Sequence, residues 1–206
     1  MTKRLFDLCC SLLGLIFLVP LFFILGLMIR ADGGPVFFRQ ERVGWRGRIF
    51  RIYKFRSMFV NAEKLGALVT AERDPRITRI GRWLRKTKLD ELPQLLNVFL
   101  GDMSIVGPRS EVPYYVNLWP EADRELILSV KPGITDFATL YYYDEQVLLD
   151  KAANPERIYV EEVIPHKLEM YKSYVKDSSF WLDVKIIMAT LGEIFSVSFK
   201  WLAKRT

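Results

Sequence analysis

Two adjacent carboxylates, Asp90 and Glu91, are the residues of this chain whose types and spacing best suit chemistry. They lie in the stretch Lys88–Glu111, which reads Lys-Leu-Asp-Glu-Leu-Pro-Gln, an apolar run, and then Gly-Asp-Met-Ser-Ile-Val-Gly-Pro-Arg before two further residues. Arginines crowd the sequence just before the pair. Carboxylates among many cations indicate the handling of phosphate esters through a metal ion, because Mg²⁺ takes oxygen ligands and shares them with substrate phosphates.

The proline after the pair predicts where a helix begins. Pro93 is tolerated only in the first turn, so we expect a helix from close to Asp90 to Gly101. Asp90 would then be an N-cap and Glu91 a first-turn acid, which is an ordinary structural arrangement. The functional alternative is that the helix N-terminus attracts phosphate, one carboxylate attacks phosphorus and its neighbour holds Mg²⁺.

Two short strands are predicted upstream, Pro35–Gly44 and Arg48–Arg56, joined by a glycine-bounded turn. Together with the turn they carry seven basic residues against one acid, and most of these fit a basic face resting on anionic headgroups. Lys54 and Arg56 flank Phe55 and so share a strand face. We therefore expect these two to be the better candidates for a phosphate contact.

A second basic cluster follows at residues 73–88, in which Arg79, Arg82 and Lys86 recur at helical spacing and share one face. The net charge of +6 and pI near 9.3 indicate an anionic partner. We expect no nucleic acid, because no helix-turn-helix, RNP-type or zinc-finger pattern accompanies the charge. The only histidine, His166, follows Pro165 in a polar stretch and is expected to be an ordinary surface residue, which excludes serine-hydrolase triads and histidine-based zinc sites.

The N-terminal segment is apolar enough for a membrane. Residues 8–29 carry no charge over a length that could cross a bilayer. However, Pro20 lies inside the run, and both flanks are basic, with Lys3 and Arg4 before it and Arg30 after it. A spanning helix and a re-entrant helix that breaks near Pro20 and returns to the same face both fit these residues. The adjacent Cys9 and Cys10 offer neither a disulfide framework nor zinc-ligand spacing.

Several motifs in the right order resemble one family, the small monotopic phosphoglycosyl transferases, which are bacterial sugar transferases that start glycan assembly on polyprenyl phosphate. The resemblance covers nearly the whole chain. Its motifs are Lys3-Arg4-Leu-Phe-Asp7, Pro35-Val-Phe-Phe-Arg-Gln-Glu-Arg-Val-Gly44, Tyr53-Lys-Phe-Arg-Ser-Met58, Leu89-Asp-Glu-Leu-Pro-Gln-Leu-Leu-Asn97, Gly101-Asp-Met-Ser-Ile-Val-Gly-Pro-Arg109, Val130-Lys-Pro-Gly-Ile-Thr135 and Ser179-Phe-Trp-Leu-Asp-Val-Lys-Ile-Ile187.

The resemblance implies a two-step reaction. Asp90 would attack the β-phosphate of a UDP-sugar and release UMP, while Glu91 holds Mg²⁺. Polyprenyl phosphate, such as undecaprenyl phosphate, would then attack the phosphosugar-aspartate to give polyprenyl-diphosphate-sugar. Arg85 and Arg109 would bind phosphates or the uridine nucleotide. The family's broken re-entrant membrane helix favours that alternative for residues 1–30.

Two departures from the family pattern stand out. The helix break of several relatives is a Ser-Pro pair, whereas this chain has Val19-Pro20. The family often continues Lys-Pro-Gly-Ile-Thr with Gly, an aromatic residue or Leu, and Ala-Gln, whereas this chain has Asp136 and Thr139 in place of the Gly and the Gln. The Asp at position 136 and the Thr at position 139 are expected to reshape the sugar pocket.

Together these features predict a helix-rich α+β fold in one membrane-associated domain, 1–206. Residues 1–30 would form the re-entrant helix, and 31–206 a catalytic region with a short β-hairpin and interfacial amphipathic helices. Residues 178–204 would form one such helix, or two with a bend near Gly192. The resemblance implies a place in the lipid bilayer of the bacterial inner membrane, on its cytoplasmic face, in exopolysaccharide, lipopolysaccharide or other glycoconjugate biosynthesis. The sequence neither requires nor excludes a homodimer. The rival hypothesis is a non-catalytic membrane-anchored scaffold that binds anionic lipid or nucleic acid.

Overall fold

The chain is helix-rich and carries a small β-hairpin, as predicted, together with a second short pair of strands. The computed structural model describes residues 2–62, 70–71, 73–142, 145–150, 152 and 154–203. Three short turns complete the elements: 3₁₀ turns at Trp45–Gly47 and Leu89–Glu91 and a π-helical turn at Tyr159–Val163. The helices and strands are α1 (Thr2–Ala31), β1 (Phe37–Val43), β2 (Ile49–Phe55), α2 (Arg79–Lys86), α3 (Gln94–Leu100), β3 (Ser104–Val106), α4 (Pro113–Asn117), α5 (Glu121–Ile127), β4 (Gly133–Thr135), α6 (Phe137–Tyr141), α7 (Glu145–Asp150), α8 (Pro155–Ile158), α9 (Ile164–Asp177) and α10 (Phe180–Ala203).

The predicted hairpin is confirmed in strands β1 and β2. They pair antiparallel, with Phe37 opposite Phe55 and Val43 opposite Ile49. The turn needs left-handed backbone at Arg46, φ 55°, and at Gly47, φ 75°, which glycine adopts without strain. The hairpin places Phe55 in the core and leaves the preceding residue, Lys54, on the side that faces Glu91.

A second strand pair, β3 with β4, was not predicted. The two strands are parallel, with Ser104 opposite Gly133 and Val106 opposite Thr135. Their backbones approach closely: a Cβ on Gly133 would lie 2.1 Å from the main-chain nitrogen of Gly107. The pairing therefore brings the Gly-Pro-Arg turn at residues 107–109 against the segment that follows β4.

Helix α1 is one helix from Thr2 to Ala31, with Pro20 inside it. Only 11% of its most apolar window is buried within the molecule. Its large exposed apolar side chains are Leu5 near the N-terminus and then Leu12, Leu13, Ile16, Phe17, Val19, Phe23, Ile24, Leu27 and Met28. The re-entrant break at Pro20 stays a prediction.

The N-terminal turns of α1 are fixed to the body of the protein by polar contacts. The buried carboxylate of Asp7 accepts hydrogen bonds from Ser104 Oγ and from the main-chain nitrogen of Ile105, both at 3.1 Å. Arg4 donates to the carbonyl of Val98 at 2.6 Å, in the last turns of α3. A carboxylate buried on an apolar helix costs free energy unless it is hydrogen-bonded, and the start of β3 supplies these bonds.

The C-terminal turns of α1 pack on the same body through apolar contacts. Leu25 and Ile29 form a buried cluster with Phe55 of β2 and Leu84 of α2. The buried side chain of Arg56 donates to the carbonyl of Ile29 at 3.0 Å, near the end of the helix, where carbonyls lack helical partners. Both ends of α1 therefore contact one body, and most of the exposed apolar side chains lie between them.

Helix α10 confirms the helix predicted over 178–204, with Lys204 lying outside the described residues. It runs through Gly192 without interruption. Its first turn is held by the buried carboxylate of Asp183, which accepts from Tyr174 Oη at 2.7 Å and forms an ion pair with Lys3. One side packs on the core, whereas Trp181 is 73% exposed on the other, and the location of this side in a membrane interface stays a prediction.

The close approach of Gly107 and Gly133 generates a prediction. We expect Gly133→Ala to destabilise the protein by about 2–4 kcal/mol, because the new methyl group meets backbone that cannot turn aside. The matched control is Gly192→Ala within α10, where a Cβ has no neighbour within 4 Å; it should raise stability by up to about 1 kcal/mol through helix propensity. Thermal unfolding in detergent measures both, and equal Tm values for the two variants would contradict the packing argument.

Candidate active site

The segment that carries the two acids differs from the sequence-based prediction. The helix does not begin at Asp90: Leu89–Glu91 form a 3₁₀ turn, and α3 begins only at Gln94. The prediction that Asp90 is an N-cap is therefore wrong. Pro93 supplies the physical reason, because an N-cap at residue 90 would use the N–H groups of residues 92 and 93, and Pro93 has none.

Asp90 is buried and only partly satisfied. Its residue is 7% exposed, and its buried Oδ1 accepts no hydrogen bond from any residue that the structure describes. Burial, and next the charge of Glu91, raise the pKa of the Asp90 carboxyl above its ordinary value. A carboxylate in this condition is a stronger nucleophile and base than one held by several donors.

Glu91 has the opposite environment, although it is the next residue. Its carboxylate binds Lys54 Nζ at 2.8 Å and takes both terminal nitrogens of Arg109, one of them at 3.1 Å. Burial alone would raise the pKa of Glu91, but the charges of Arg109 and Lys54 hold it well below the ordinary value. Neighbouring acids whose pKa values are pushed apart in this way are typical of active sites.

The main chain of Arg109 is held by the residue that departs from the family pattern. Asp136, 1% exposed, accepts from the Arg109 main-chain nitrogen at 2.8 Å. Its other oxygen caps α6 by accepting from the Thr139 main-chain nitrogen at 2.5 Å. Burial raises the pKa of Asp136, against the hydrogen bonds from Thr139 and the charge of Arg109. The expectation that Asp136 and Thr139 reshape the sugar pocket stays a prediction, but both lie beside the site.

The other predicted phosphate contacts lie in different surroundings. Lys54 faces Glu91 from β2, and burial lowers its pKa even though Glu91 opposes the shift. Arg85, in the last turn of α2, has its pKa lowered by burial, against the charges of Asp90 and Glu91. Arg56 lies beyond the end of β2, where its guanidinium binds the carbonyl of Ile29, so it has a structural role at the end of α1 as well.

All six predicted site residues line one cavity of about 440 Å³. They are Lys54, Arg56, Arg85, Asp90, Glu91 and Arg109. The structure therefore brings together residues from β2, α2, the 3₁₀ turn and the Gly-Pro-Arg turn. That they catalyse or bind substrate stays a prediction.

Part of the cavity wall was not predicted. Glu111 is buried there, accepting from Tyr159 Oη at 2.7 Å and pairing with Arg42 at 3.3 Å. Tyr115 and Lys167, both buried, complete this side. Arg42 was interpreted as one of many basic hairpin residues on a solvated face, and the alternation along β1, which turns Arg42 inward with Gln40, was the signal that could have found it.

The residues present fit a magnesium ion bound together with a substrate. No group of three or more His, Cys, Asp or Glu residues forms a metal cage in the described part of the chain. Mg²⁺ needs no such cage, because it binds through one or two carboxylates plus waters and substrate phosphates. Asp90 and Glu91 supply two carboxylates, and the unpartnered Oδ1 of Asp90 has capacity for a cation.

His166 is exposed, as predicted for a surface residue, and its Nδ1 lies 2.7 Å from Tyr142 Oη.

Comparison with known proteins gives consistent matches. The undecaprenyl-phosphate glucose phosphotransferase of Komagataeibacter xylinus is 40% identical over 202 residues, which are 94% of this chain and 36% of that protein. The UDP-N-acetylgalactosamine-undecaprenyl-phosphate N-acetylgalactosaminephosphotransferase of Aeromonas hydrophila is 38% identical, over 94% of this chain and 44% of its own. The undecaprenyl-phosphate galactose phosphotransferase of Salmonella typhimurium is 36% identical, over 91% and 39%.

The chain spans less than half the length of each of these curated relatives. The sequence profile of the family described as bacterial sugar transferase matches residues 1–197. This match covers nearly the whole chain, including the Asp90–Glu91 pair and the Gly-Pro-Arg turn. The chain belongs to the bacterial sugar transferase family.

Proposed function

We propose that this protein transfers a sugar 1-phosphate from a UDP-sugar to polyprenyl phosphate, undecaprenyl phosphate in particular. The observation that carries the proposal is the site itself: a buried carboxylate, Asp90, without a capping role, in a cavity lined by cations, on a body attached to an exposed apolar helix. The names of the relatives support the acceptor. Because those names specify glucose, galactose and N-acetylgalactosamine, the donor is proposed as a class, to be resolved with a panel of UDP-sugars.

In the first step, a carboxylate oxygen of Asp90 attacks the β-phosphorus of the donor. A bond forms between that oxygen and phosphorus, and the bond from phosphorus to the bridging oxygen breaks. The bridging oxygen leaves with the electron pair as part of UMP, so the sugar phosphate is carried on Asp90 as an acyl phosphate. The weak hydrogen bonding of Asp90 suits this role, because its lone pairs are not committed to donors.

In the second step, a phosphate oxygen of the polyprenyl phosphate attacks the same phosphorus. The new P–O–P link forms, the bond to Asp90 breaks, and the carboxylate is regenerated. One polar and one lipid substrate can thus use the same site in turn. The position of α1 supports lipid delivery, since Leu25 and Ile29 pack against Phe55, whose neighbours Lys54 and Arg56 line the cavity.

Cations of the chain surround the reacting phosphorus in this proposal. Arg109, Lys54 and Arg85 would neutralise the diphosphate and the developing charge on the leaving UMP. Glu91 would hold Mg²⁺, which when bound supplies further charge neutralisation at the phosphate oxygens. Arg109 is the arginine best prepared for bidentate phosphate binding, because Asp136 fixes its main chain.

We also propose that α1 is re-entrant, so that the protein occupies one face of the bacterial inner membrane, the cytoplasmic one. Support comes from the contacts of the two ends of α1. Asp7 and Arg4 bind β3 and α3, while Leu25 and Ile29 pack on α2 and β2. A helix that crossed the bilayer would place these two ends on opposite faces of the roughly 30 Å hydrocarbon core. A body on one face of the membrane could then not contact both ends. The products would serve glycoconjugate biosynthesis.

Replacing the nucleophile separates the transferase from the rival scaffold. We expect Asp90→Asn to abolish UMP release from UDP-sugars with Mg²⁺, in both the presence and the absence of undecaprenyl phosphate. The same variant should raise the unfolding free energy by about 1 kcal/mol, because it removes a buried charge with unmet hydrogen-bonding capacity. For a chain of this size that corresponds to a Tm increase of roughly 2–4 °C.

The matched control for that variant is Asp177→Asn, on the exposed end of α9, which should keep both activity and Tm. Wild-type protein with donor alone should release one equivalent of UMP and gain the mass of a phosphosugar on Asp90. Turnover that survives in Asp90→Asn would overturn the role of Asp90 as the nucleophile. Wild-type protein that releases no UMP from any donor in a broad panel would overturn the transferase and favour the scaffold.

The raised pKa of Asp90 predicts an acid limb in the rate of the first step. Only the ionised carboxylate attacks, so the single-turnover rate should fall as pH drops through the pKa of the folded site. That midpoint should lie above the roughly 3.9 of an ordinary aspartate, because burial and Glu91 raise the pKa of Asp90. Rapid-quench measurement of UMP against pH, with tryptophan fluorescence to verify folding, tests this. A midpoint at or below the ordinary value would be contrary to the proposed burial.

Cysteine labelling tests the topology of α1. In a background in which Cys9 and Cys10 are replaced by Ser, a Thr2→Cys variant should resist a membrane-impermeant maleimide in intact spheroplasts and react in opened membranes. Glu162→Cys, on the exposed surface of the body, is the matched control and should behave identically. Labelling of Thr2→Cys alone in intact spheroplasts would establish a spanning helix instead.

A further inference from the structure

The two cations best placed to bind a diphosphate are both held by Glu91. Lys54 Nζ lies 2.8 Å from Glu91 Oε1, and Arg109 forms a two-pronged pair with the same carboxylate, with Nη1 3.1 Å from Oε2. The three side chains are shielded from water: Glu91 is 13% exposed, Lys54 17% and Arg109 27%. The proposed substrate contacts are therefore already occupied by an acid of the chain.

The hydrogen-bonding capacity of Glu91 is nearly used up by this arrangement. A carboxylate offers about four lone-pair sites, and three of them receive N–H groups from Lys54 and Arg109. The backbones of both cations are fixed, Lys54 by its pairing with Phe38 in the hairpin and Arg109 by Asp136. Only the side chains can turn away from Glu91.

Donor binding makes conflicting demands on this carboxylate. A divalent cation on Glu91 would place two more positive charges beside Lys54 and Arg109, in surroundings where charges are poorly screened. A diphosphate in the cavity would attract the same two side chains, since Arg and Lys bind phosphate as they bind carboxylate. Each event alone is opposed by the ion pairs, whereas the two together satisfy all the charges.

We infer that Glu91 is an internal counter-ion that occupies Lys54 and Arg109 until the donor arrives. When a divalent cation neutralises Glu91, Lys54 and Arg109 turn from the carboxylate to the diphosphate oxygens, so that cation and diphosphate bind as one linked event. This inference rests on the proposed function, in which the site receives the diphosphate of a UDP-sugar.

The pattern of partners favours exchange over a fixed structural ion pair. If the cations served only to neutralise buried acids, the neighbouring Asp90 would share them, yet its buried Oδ1 accepts no bond from the described residues. Both cations converge on the acid next to the nucleophile. Buried ion pairs of this kind also contribute little net stability.

The decisive experiment measures UDP binding by calorimetry with wild-type protein and Glu91→Gln, each in EDTA and in Mg²⁺. In EDTA, Glu91→Gln should bind UDP about tenfold or more tightly than wild type, the gain expected from one or two freed charge-assisted hydrogen bonds. Mg²⁺ should tighten UDP binding to wild type and should have much less effect on Glu91→Gln. Linkage requires that UDP tighten binding of the cation to wild type by the same factor, and this arm needs no variant.

Two controls separate released cations from a general change in charge. Glu111→Gln removes an acid of the same cavity that is paired with Arg42 and Tyr159 instead, and its gain in EDTA should be much smaller. Adding Arg109→Gln to Glu91→Gln should remove most of the gain. Thermal unfolding verifies that each variant is folded.

The outcomes distinguish this inference from the proposed function. Equal UDP affinity for wild type and Glu91→Gln in EDTA, or an equal gain for Glu111→Gln, overturns the counter-ion role while leaving UMP release and the labelling of Asp90 untouched. Wild-type protein that binds no UDP even with Mg²⁺ overturns both.

Discussion

Two neighbouring acids are buried in one cavity, and the structure around them follows from the need to neutralise that charge. An unpaired carboxylate in a poorly hydrated site carries a large desolvation penalty, which nearby cations reduce only when their geometry is good. Glu91 receives this compensation from Lys54 and Arg109, whereas Asp90 receives little of it. The asymmetry leaves one acid fully paired and its neighbour with unmet hydrogen-bonding capacity.

Two elements of the fold bring those cations to Glu91. The hairpin aims Lys54 at Glu91 across the cavity. The β3–β4 pairing, with its close contact between two glycines, carries the Gly-Pro-Arg turn to the same carboxylate. Asp136, directly after β4, then binds the Arg109 main chain, so the support of the arginine depends on a strand pair only three residues long on each side.

Local patterns predicted the hairpin, the apolar first helix and the last helix, because each has its own signal in adjacent residues: a glycine-bounded turn, an uncharged run and an amphipathic repeat. The Asp90–Glu91 pair and four of the cations that line the cavity were also predicted, although the pairing of Lys54 and Arg109 with Glu91 depends on distances that no sequence spacing gives. The prediction of Asp90 as an N-cap relied on the propensity of aspartate for that position. It overlooked that Pro93 lacks an N–H group that an N-cap at residue 90 would bind.

Contacts between distant segments explain what the sequence did not predict. The β3–β4 pair joins strands of three residues with no alternating pattern, so nothing local distinguishes them from loops. Arg42 and Glu111 form an ion pair although they are 69 positions apart in the sequence. Arg42 was not singled out because the basic residues near it in the hairpin do face solvent. Asp136 was noticed only as a departure from a pattern, and its hydrogen bond with the main chain of Arg109 could be seen only in the folded structure.

Arg56 connects the apolar helix to the cavity, because it lines the cavity and its side chain is hydrogen-bonded to the end of α1. Its guanidinium closes the end of α1 by binding the carbonyl of Ile29, and it follows Lys54 by two residues on the same chain segment. The end of α1 and the strand that carries Lys54 are thus joined by one short linkage. In the membrane location proposed for α1, a shift of the helix along its axis would be transmitted to the cation facing Glu91, so the thickness of the lipid would become a variable of the site's geometry.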